Sequence, residues 1–432
     1  MKTIGVGLLG CGVVGSAVAR LVGENADAIA ARCGARFEIR KIAVKNRRKK
    51  RPGVNPKLFA SVDEVVSSPD VDLVVELMGG EKEAFRAIKK AIANKKHVVT
   101  ANKLLLAKRG EGIFSDAIAA GVEIGFEAAV AGAVPVIRTL KEAVASGAVR
   151  SVQGIINGTS NYILTSMKDG TVNFADALAA AQKLGYAEAD PAFDVEGTDA
   201  AHKVAILASL AFGSPVDFSK VHIEGITRLA PEDFEFARQF GRVIKLLAIA
   251  RMEGKKLDVR VHPVMVAAAR PIAAVNGVTN AVEIDVSDAG RLMLIGPGAG
   301  GNATASAVIA NMADIARDMI LGAVGRISPF GFMDRARKKL PMMPVDEVTG
   351  GYYLRFTVED KPGVLATMAG ILGDNGISID SVIQKGRSGG VVPLVILTHG
   401  AKERAVRIAV EKINKLRSTR NKAMIIRLDD GE

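Results

Sequence analysis

Three groups of residues in this sequence have types and spacings that could do chemistry. The first is GCGVVG, Gly10 to Gly15, which fits the pattern G-x-G-x-x-G. With 45 glycines in the chain the pattern alone carries little. What makes it informative is that it follows a strand-like run and opens a helix-like one, the context in which such a turn holds a pyrophosphate. Gly10 would allow the tight turn, Gly12 the approach of the backbone to phosphate, and Gly15 close packing of helix on strand. Val13 and Val14 begin the helix, whose first N–H groups and partial positive charge suit an anion.

The second group is the basic block KNRRKKR, Lys45 to Arg51. It follows the second strand-like run, where an enzyme selective for NAD carries an acid to hold the ribose 2′-hydroxyl. No acid stands there, and guanidinium and ammonium groups suit a 2′-phosphate. We therefore expect Lys45, Arg47 and Arg48 to select NADP, with NAD as the alternative. The plainer reading is a solvated loop in which only one or two of these residues touch the cofactor.

The third group combines lysines with acids. Lys103, in HVVTANK, lies just past a strand end at the mouth of the expected sheet. Glu188, Asp190, Asp194, Asp199 and Lys203 fall in GYAEADPAFDVEGTDAAHKV, Gly185 to Val204. Asp199 and Lys203 are four residues apart, so one helix face carries both and they can pair. Taken singly, each has an ordinary reading. Asp199 could simply favour a helix N-terminus, Lys203 could be its surface partner, and Glu188 and Asp190 could be exposed loop acids.

The elements that must position these groups follow from periodicity. Strand-like runs at Thr3–Leu9, Phe37–Val44, Val71–Leu77, His97–Thr100 and Val122–Phe126 alternate with helix-like stretches. That order predicts βαβ units and a parallel sheet covered on both faces, with ligands at the carboxyl ends of its strands. From about residue 131 to 330, helices at Ala175–Leu184, Asp199–Ala211 and Glu232–Ala250 mix with strands at Val149–Asn157, Val259–Val266 and Ala281–Ile284. This predicts an α+β substrate and dimerisation domain. GPGAGGNATASAV, Gly296 to Val308, opens a last long helix from Ala303 to Met319, where Met312 and Met319 read as core. A linker follows near Arg335–Val348, and the final 80 residues run in the order βαββαβ of the ferredoxin-like split motif. The expected fold class is thus α/β: a Rossmann-type parallel-sheet domain (1–133), an α+β catalytic domain (134–330) whose helix 303–320 returns to the cofactor domain, and a ferredoxin-like domain (350–432).

Composition bounds the function. Hydrophobic residues at 49% and charged residues at 24% suit a globular protein with sizeable cores. A net charge of +12 attracts nucleic acid, anionic membranes or phosphorylated small molecules. No helix-turn-helix or aromatic-rich basic face is visible, and apolar runs stop well short of the ~18 residues a membrane helix needs. We expect neither a nucleic-acid nor a membrane partner. Cys11 and Cys33 cannot build a disulfide framework, and no secretory leader pattern is present, so a reducing, cytoplasmic setting is expected. Five histidines without H-x-x-H spacing predict no transition-metal site.

Together, HVVTANK, GIINGTSNYIL (Gly154–Leu164) and the acidic motif Gly185–Val204 resemble homoserine dehydrogenases closely, and the resemblance spans essentially the whole chain. DKPGVLATMAGILGDNGISI, Asp360 to Ile379, is similar to the ligand-facing loop and helix of an ACT domain. The resemblance implies reduction of L-aspartate 4-semialdehyde to L-homoserine with a nicotinamide cofactor. The acidic motif agrees with it: the substrate ammonium wants carboxylates, and the oxygen that becomes alkoxide-like needs a proton and a positive environment. Lys203 is the expected proton donor, with Lys103 near the same carbonyl, each lysine lowering the other's pKa, and Asp199 completing the catalytic set. Glu188 would bind the substrate ammonium, and Asp194, Asn157, Gly158 and Thr159 would complete the substrate site. By the same resemblance, Gly298 and Gly300 approach the cofactor, and a monovalent cation such as Na⁺ or K⁺ lies among carbonyls of EAAVAGAV at Glu127, Val130, Gly132 and Val134. Ala303 stands where many members have Pro, a mild departure at a helix start.

The resemblance also implies an amino-acid effector, threonine, at Asp360, Pro362, Gly363 and Val364, and pairing of ACT domains between chains in a homodimer or homotetramer. Gly400 stands where related chains often carry Glu, which removes a polar contact and puts threonine sensitivity in question, leaving assembly as the domain's other role. Two alternatives stay open at this point. One is another NADP-dependent reductase of an amino-acid-derived aldehyde or imine; the other is a nucleotide-sensing regulator with an ACT domain. A phosphorylating semialdehyde dehydrogenase is excluded, since it needs a mid-chain nucleophilic Cys and both cysteines lie in the first domain.

Overall fold

The computed structural model describes residues 1–51, 53–385 and 390–431. The chain divides into two compact units, one formed by Met1–Ile156, His202–Ser219 and Thr279–Leu340, the other by Asn157–Ala201, Lys220–Val278 and Pro341–Glu432.

The first unit opens with β1 (Lys2–Leu9), the helices α1 (Val13–Glu24) and α2 (Ala26–Cys33), and β2 (Ala35–Ala43). Then come β3 (Phe59–Ala60), α3 (Val62–Ser67), β4 (Leu73–Glu76), α4 (Lys82–Ala93), β5 (His97–Thr100), α5 (Lys103–Ala120) and β6 (Ile124–Gly125). The strands pair in parallel in the order β3-β2-β1-β4-β5-β6. The LVVE of β4 and HVVT of β5 are buried at every position, as a sheet covered on both faces requires. Strand order reverses between β1 and β4, which places a crevice at their carboxyl ends.

A short helical turn α6 (Val136–Arg138) leads to β7 (Val149–Ile155). In the second unit follow α7 (Gly158–Met167), α8 (Phe174–Lys183) and α9 (Ala192–Val195). Next come α10 (Thr198–Phe212), whose residues from His202 on belong to the first unit, and then β8 (His222–Ile223), α11 (Pro231–Gln239), β9 (Arg242–Glu253) and β10 (Lys256–Ala267). β11 (Thr279–Val286), β12 (Gly290–Pro297) and α12 (Gly301–Leu321) return to the first unit. There β11 pairs antiparallel with both β7 and β12, while Val308, Met312 and Ile315 of α12 share a core with Ile4, Val6 and Val18. Met312 is fully buried and Met319 packs against the same core.

One expectation fails here, and one strand goes unforeseen. The helix expected over Glu232–Ala250 stops at Gln239; Gly241 adopts a left-handed φ of 65° and the chain continues as β9. VIKLLAIA is an apolar run that local pattern cannot assign. What decides it is β10, which pairs with β9 antiparallel from Lys256↔Glu253 to Ala267↔Arg242. β12, hidden in RLMLIGP, is likewise made by its partner β11.

The C-terminal segment is β13 (Thr349–Glu359), α13 (Val364–Asp374), β14 (Ile379–Gln384), β15 (Val391–Lys402), α14 (Glu403–Asn414) and β16 (Met424–Asp429), the expected βαββαβ order. Its core gathers Tyr352, Leu354, Phe356, Met368, Leu372 and Val406. β16 also pairs in parallel with β10, Val264↔Arg427 to Val266↔Asp429. The buried Arg427 guanidinium donates to Glu403 Oε2 at 3.1 Å and to Glu224 Oε1 at 2.7 Å, so this domain is fastened to the preceding sheet by ladder and ion pairs together. No helix among the described residues is long and apolar enough to cross a membrane.

Candidate active site

The glycine turn sits at the reversal point of the parallel sheet. Gly10 has φ 98°, and a Cβ there would lie 2.6 Å from the Leu77 carbonyl oxygen. A Cβ on Gly15 would lie 2.3 Å from the Gly10 oxygen, so helix and turn touch backbone to backbone. Gly12 has nothing within 4 Å of its Cβ position; it faces open space and caps α1 without a side-chain hydrogen bond. The first N–H groups of α1 are thus presented to whatever fills that space. Val13 is exposed and Val14 half-buried beside it.

A cleft of about 540 Å³ opens at this turn. Lys45, Arg47, Lys49 and Arg51 line it, no acid follows β2, and its acidic residue is Glu83, from the first turn of α4. Arg48 lies outside the lining, exposed, with its backbone N–H donating to Asn46 Oδ1 at 2.9 Å. Lys49 and Arg51 were not singled out within the block. The side chain of Arg51 grips three carbonyls, those of Cys11 (2.8 Å), Asn46 (3.1 Å) and Lys49 (2.8 Å). Spacing within a charge run gives no sign of such a contact, which arises only when the loop meets the glycine turn.

The carboxyl ends of β4 and β5 carry a polar network. Glu76, fully buried, ends β4; Thr100 ends β5; Asn102 caps α5 by accepting from Leu105 N–H at 3.1 Å; and Lys103 is the first residue of that helix, half-buried. Burial raises the Glu76 pKa above the ordinary carboxylate range, against the hydrogen bonds from Thr100, Met78 and Gly79. Glu76 and Thr100 escaped the sequence reading, since a single acid in an apolar strand has no pattern to betray it.

The glycine-rich segment before α12 approaches the turn after β6. Ala131 and Gly132 both have left-handed φ, 56° and 58°, and a Cβ on Gly132 would lie 2.6 Å from the Gly298 carbonyl carbon. Gly300, with φ 113°, caps α12. Glu127 is buried, and burial raises its pKa, opposed by the N–H groups of Ile137 (2.8 Å) and Arg138 (3.0 Å) that its carboxylate accepts. Its side chain therefore caps α6, while the main-chain carbonyls of Glu127 and Val134 accept from Val130 N–H (3.3 Å) and Val136 N–H (2.8 Å).

In the second unit one carboxamide organises the acids. Asn157 Nδ2 donates to Asp194 Oδ1 at 2.7 Å and to Asp199 Oδ2 at 2.9 Å, while its Oδ1 caps α7 by accepting from Ser160 N–H at 2.8 Å. The Ser160 hydroxyl donates to the Asp194 carbonyl, and that of Thr159 to the Tyr186 carbonyl at 2.6 Å. Gly158 begins α7, where a Cβ would lie 2.9 Å from the Val278 oxygen. Glu188 and Asp190 are exposed; the Asp190 carboxylate accepts from Ala192 N–H at 3.1 Å. Asp199 stands in the first turn of α10. Further along that helix, in the part that belongs to the first unit, Lys203 is buried, and its Nζ donates to the carbonyl of Ile156 at 2.7 Å. Asn157 thus steers two carboxylates, and the Lys203 ammonium is largely removed from water.

In the C-terminal domain, Asp360, Pro362, Gly363 and Val364 form the turn from β13 into α13. Asp360 Oδ1 accepts from Gln384 Nε2 at 2.9 Å, Gly363 has φ 88°, and Pro362 is exposed. Gly400 is exposed in β15.

A doubly wound sheet with a glycine turn, a basic cleft at its reversal point and a lysine at the start of α5 defines a pyridine-nucleotide-dependent oxidoreductase, here with a ferredoxin-like domain appended. The family models agree in all three parts. "Homoserine dehydrogenase, NAD binding domain" matches residues 10–127, "Homoserine dehydrogenase" residues 135–313 and "ACT domain" residues 352–418. A homoserine dehydrogenase of Neisseria gonorrhoeae is 42% identical over 431 residues, covering 99% of each chain. The crystal structure of a homoserine dehydrogenase from Thiobacillus denitrificans superposes with a TM-score of 0.94 at 43% identity, over 100% of this chain and 99% of that one. A hyperthermophilic archaeal homoserine dehydrogenase in complex with NADPH matches with a TM-score of 0.62 at 25% identity, over 73% of this chain and 98% of that one. The chain belongs to the homoserine dehydrogenase family, NAD(P)-dependent oxidoreductases that act on a CH–OH group, with a C-terminal ACT domain. The two alternative readings find no support in these matches.

Proposed function

We propose that this enzyme interconverts L-aspartate 4-semialdehyde and L-homoserine with NADP(H) preferred over NAD(H), with Lys203 as its general acid and base. The reading is carried by the Asn157 carboxamide, which holds Asp194 and Asp199 at the start of the helix that bears the buried Lys203. The residues fit a dinucleotide: the open space over Gly12 and the uncapped start of α1 suit the pyrophosphate, and Lys45, Arg47, Lys49 and Arg51 suit a 2′-phosphate. The bound nicotinamide supplies the hydride that the aldehyde carbon takes up. Lys203 gives its proton to the carbonyl oxygen, which becomes the hydroxyl, and takes it back in the oxidative direction. Lys103 offsets negative charge developing on that oxygen. Glu188 receives the substrate ammonium, while Asp194, Asp199, Asn157, Gly158 and Thr159 orient substrate and lysine.

A hard cation such as Na⁺ or K⁺ fits the turn of Ala131 and Gly132, held by the carbonyls of Glu127, Val130, Gly132 and Val134. The three-part division at 1–133, 134–330 and 350–432 serves as the functional one: cofactor, catalysis, regulation. The turn Asp360–Val364 is the contact zone for an amino acid such as threonine. β14, at the end of its sheet, supports pairing between copies in a homodimer or homotetramer. The unbridged, buried thiols of Cys11 and Cys33 support a reducing, cytoplasmic setting.

The test is steady-state oxidation of homoserine with NADP and with NAD, with and without threonine, for the native enzyme and Lys203→Ala. The variant loses kcat by orders of magnitude while cofactor binding stays nearly intact. Loss of NADPH binding with unchanged kcat contradicts the assigned role.

A further inference from the structure

The buried acid at the end of β4, Glu76, is held by a set of hydrogen bonds. Its side chain is fully buried. Its partners are all uncharged donors. Oε1 accepts from the N–H groups of Met78 (2.8 Å) and Gly79 (3.3 Å), and Oε2 from the Thr100 hydroxyl (2.7 Å). A carboxylate in such a place is penalised by desolvation and offset only by those hydrogen bonds. Leu or Val would fill the same space without penalty, so the group has a use other than filling it.

The contacts run on in a closed loop. Thr100 Oγ1 accepts the N–H of Asn102 (3.0 Å), Asn102 Nδ2 donates to the Gly80 carbonyl (2.7 Å), and Gly80 follows the two residues whose N–H groups Glu76 holds. The turn so closed needs holding: Gly79 and Gly80 are consecutive left-handed glycines, φ 71° and 75°, with no conformation preferred by sterics. Leu77 and Met78 in that turn line the cofactor cleft, and Leu77 lies directly against Gly10. On its other side the loop of contacts sets the first turn of α5, because Asn102 caps that helix and Lys103 is its next residue.

We propose that Glu76, acting through Thr100 and Asn102, is the positioning residue that ties the Leu77–Gly80 wall of the cofactor cleft to the start of α5, so that bound cofactor and Lys103 keep one fixed relation. Glu76 touches neither substrate nor cofactor in this role. The inference rests on the reading that Lys103 serves the carbonyl. It adds that the hydroxyl of Thr100, which points inward to Glu76, matters for hydride transfer.

The experiment compares Thr100→Val, Thr100→Ser and Lys103→Met with the native enzyme. Valine keeps the shape but leaves Glu76 Oε2 and the Asn102 N–H without their shared partner; serine keeps that partner. kcat, KM for NADP, KM for homoserine and the isotope effect with homoserine deuterated at C4 are measured, together with Tm. Thr100→Val lowers kcat roughly 10–100-fold, as misplacement of reacting groups does. It raises KM for NADP, leaves KM for homoserine within about twofold and increases the isotope effect, while Thr100→Ser stays near native. Native kcat and KM in Thr100→Val overturn the proposal, as does a loss that serine fails to rescue. If Thr100→Val does not fold, Asn102→Ser keeps the helix cap but cannot reach Gly80; native kinetics in that variant overturn the proposal equally. Lys103→Met separates the two claims. Native kcat there removes the role of Lys103, whereas a slow Lys103→Met beside a native-like Thr100→Val removes only the positioning.

Discussion

The guanidinium of Arg51 donates from Nε to the backbone carbonyl of Cys11, 2.8 Å away, and its Nη1 donates to the carbonyls of Asn46 and Lys49. One side chain thus pins the basic loop to the glycine turn. Lys at this position has a single rotatable head and cannot make the three contacts at once. Arg51→Lys is expected to raise KM for both NADP and NAD about tenfold, equivalent to ~1.4 kcal/mol. Arg47→Ala, whose side chain makes no comparable backbone contacts, raises KM for NADP and leaves that for NAD nearly unchanged. Parallel titrations with the two cofactors check the contrast; equal losses for both cofactors in Arg47→Ala would contradict it.

Gly12 and Gly15 separate ligand space from protein space. A methyl at Gly15 would lie 2.3 Å from the Gly10 oxygen, whereas one at Gly12 meets no protein atom within 4 Å. Gly15→Ala should destabilise the apoenzyme by ~1–3 kcal/mol through overpacking. Gly12→Ala should leave apoenzyme stability within ~1 kcal/mol, the spread expected for an N-cap change. Both weaken NADP binding. Denaturant unfolding without cofactor, alongside fluorescence titration with NADPH, distinguishes them.

Asn157 gives one N–H each to Asp194 and Asp199. Asn157→Asp puts a third carboxylate where the donor stood, and like charges at that range disfavour ionisation of all three. Homoserine kcat/KM is expected to fall at least 100-fold, about the loss of one or two charge-assisted hydrogen bonds at ~1.5–3 kcal/mol each. KM for NADP stays near native. A loss confined to NADP binding would place the acids elsewhere than at the substrate.

Glu123 is pushed up to about 7, chiefly by burial and then by the nearby charge of Asp318, against the Gly325 N–H that it accepts. In the folded chain it holds a proton between about pH 4.5 and 7 that the unfolded chain has already lost. Its contribution to stability is therefore full below that window and declines as pH rises through it. Glu123→Gln should raise Tm at pH 8, change it little at pH 5, and flatten the slope between. Identical pH profiles for the two proteins would show that the carboxyl titrates normally.

What local sequence decided about this protein was the kind of each part. An apolar strand running into GCGVVG and a helix, the absence of an acid after β2, and the βαββαβ succession at the C-terminus all rest on interactions within a few residues: steric freedom at glycine, helix dipoles, side-chain period. Tertiary structure decided which residues those parts bring together. VIKLLAIA became a strand because β10 offered it a ladder, Arg48 turned outward while Arg51 reached Cys11, and Glu76 found Thr100 and the Met78–Gly79 backbone. Some of those partners are distant, as Cys11 is from Arg51 and Thr100 from Glu76; others, such as the β9–β10 hairpin, lie close by in sequence but pair only once both strands are extended. Burial, pairing and a carboxylate's hydrogen bonds are properties of the pair, and the pattern within one element does not show its partner.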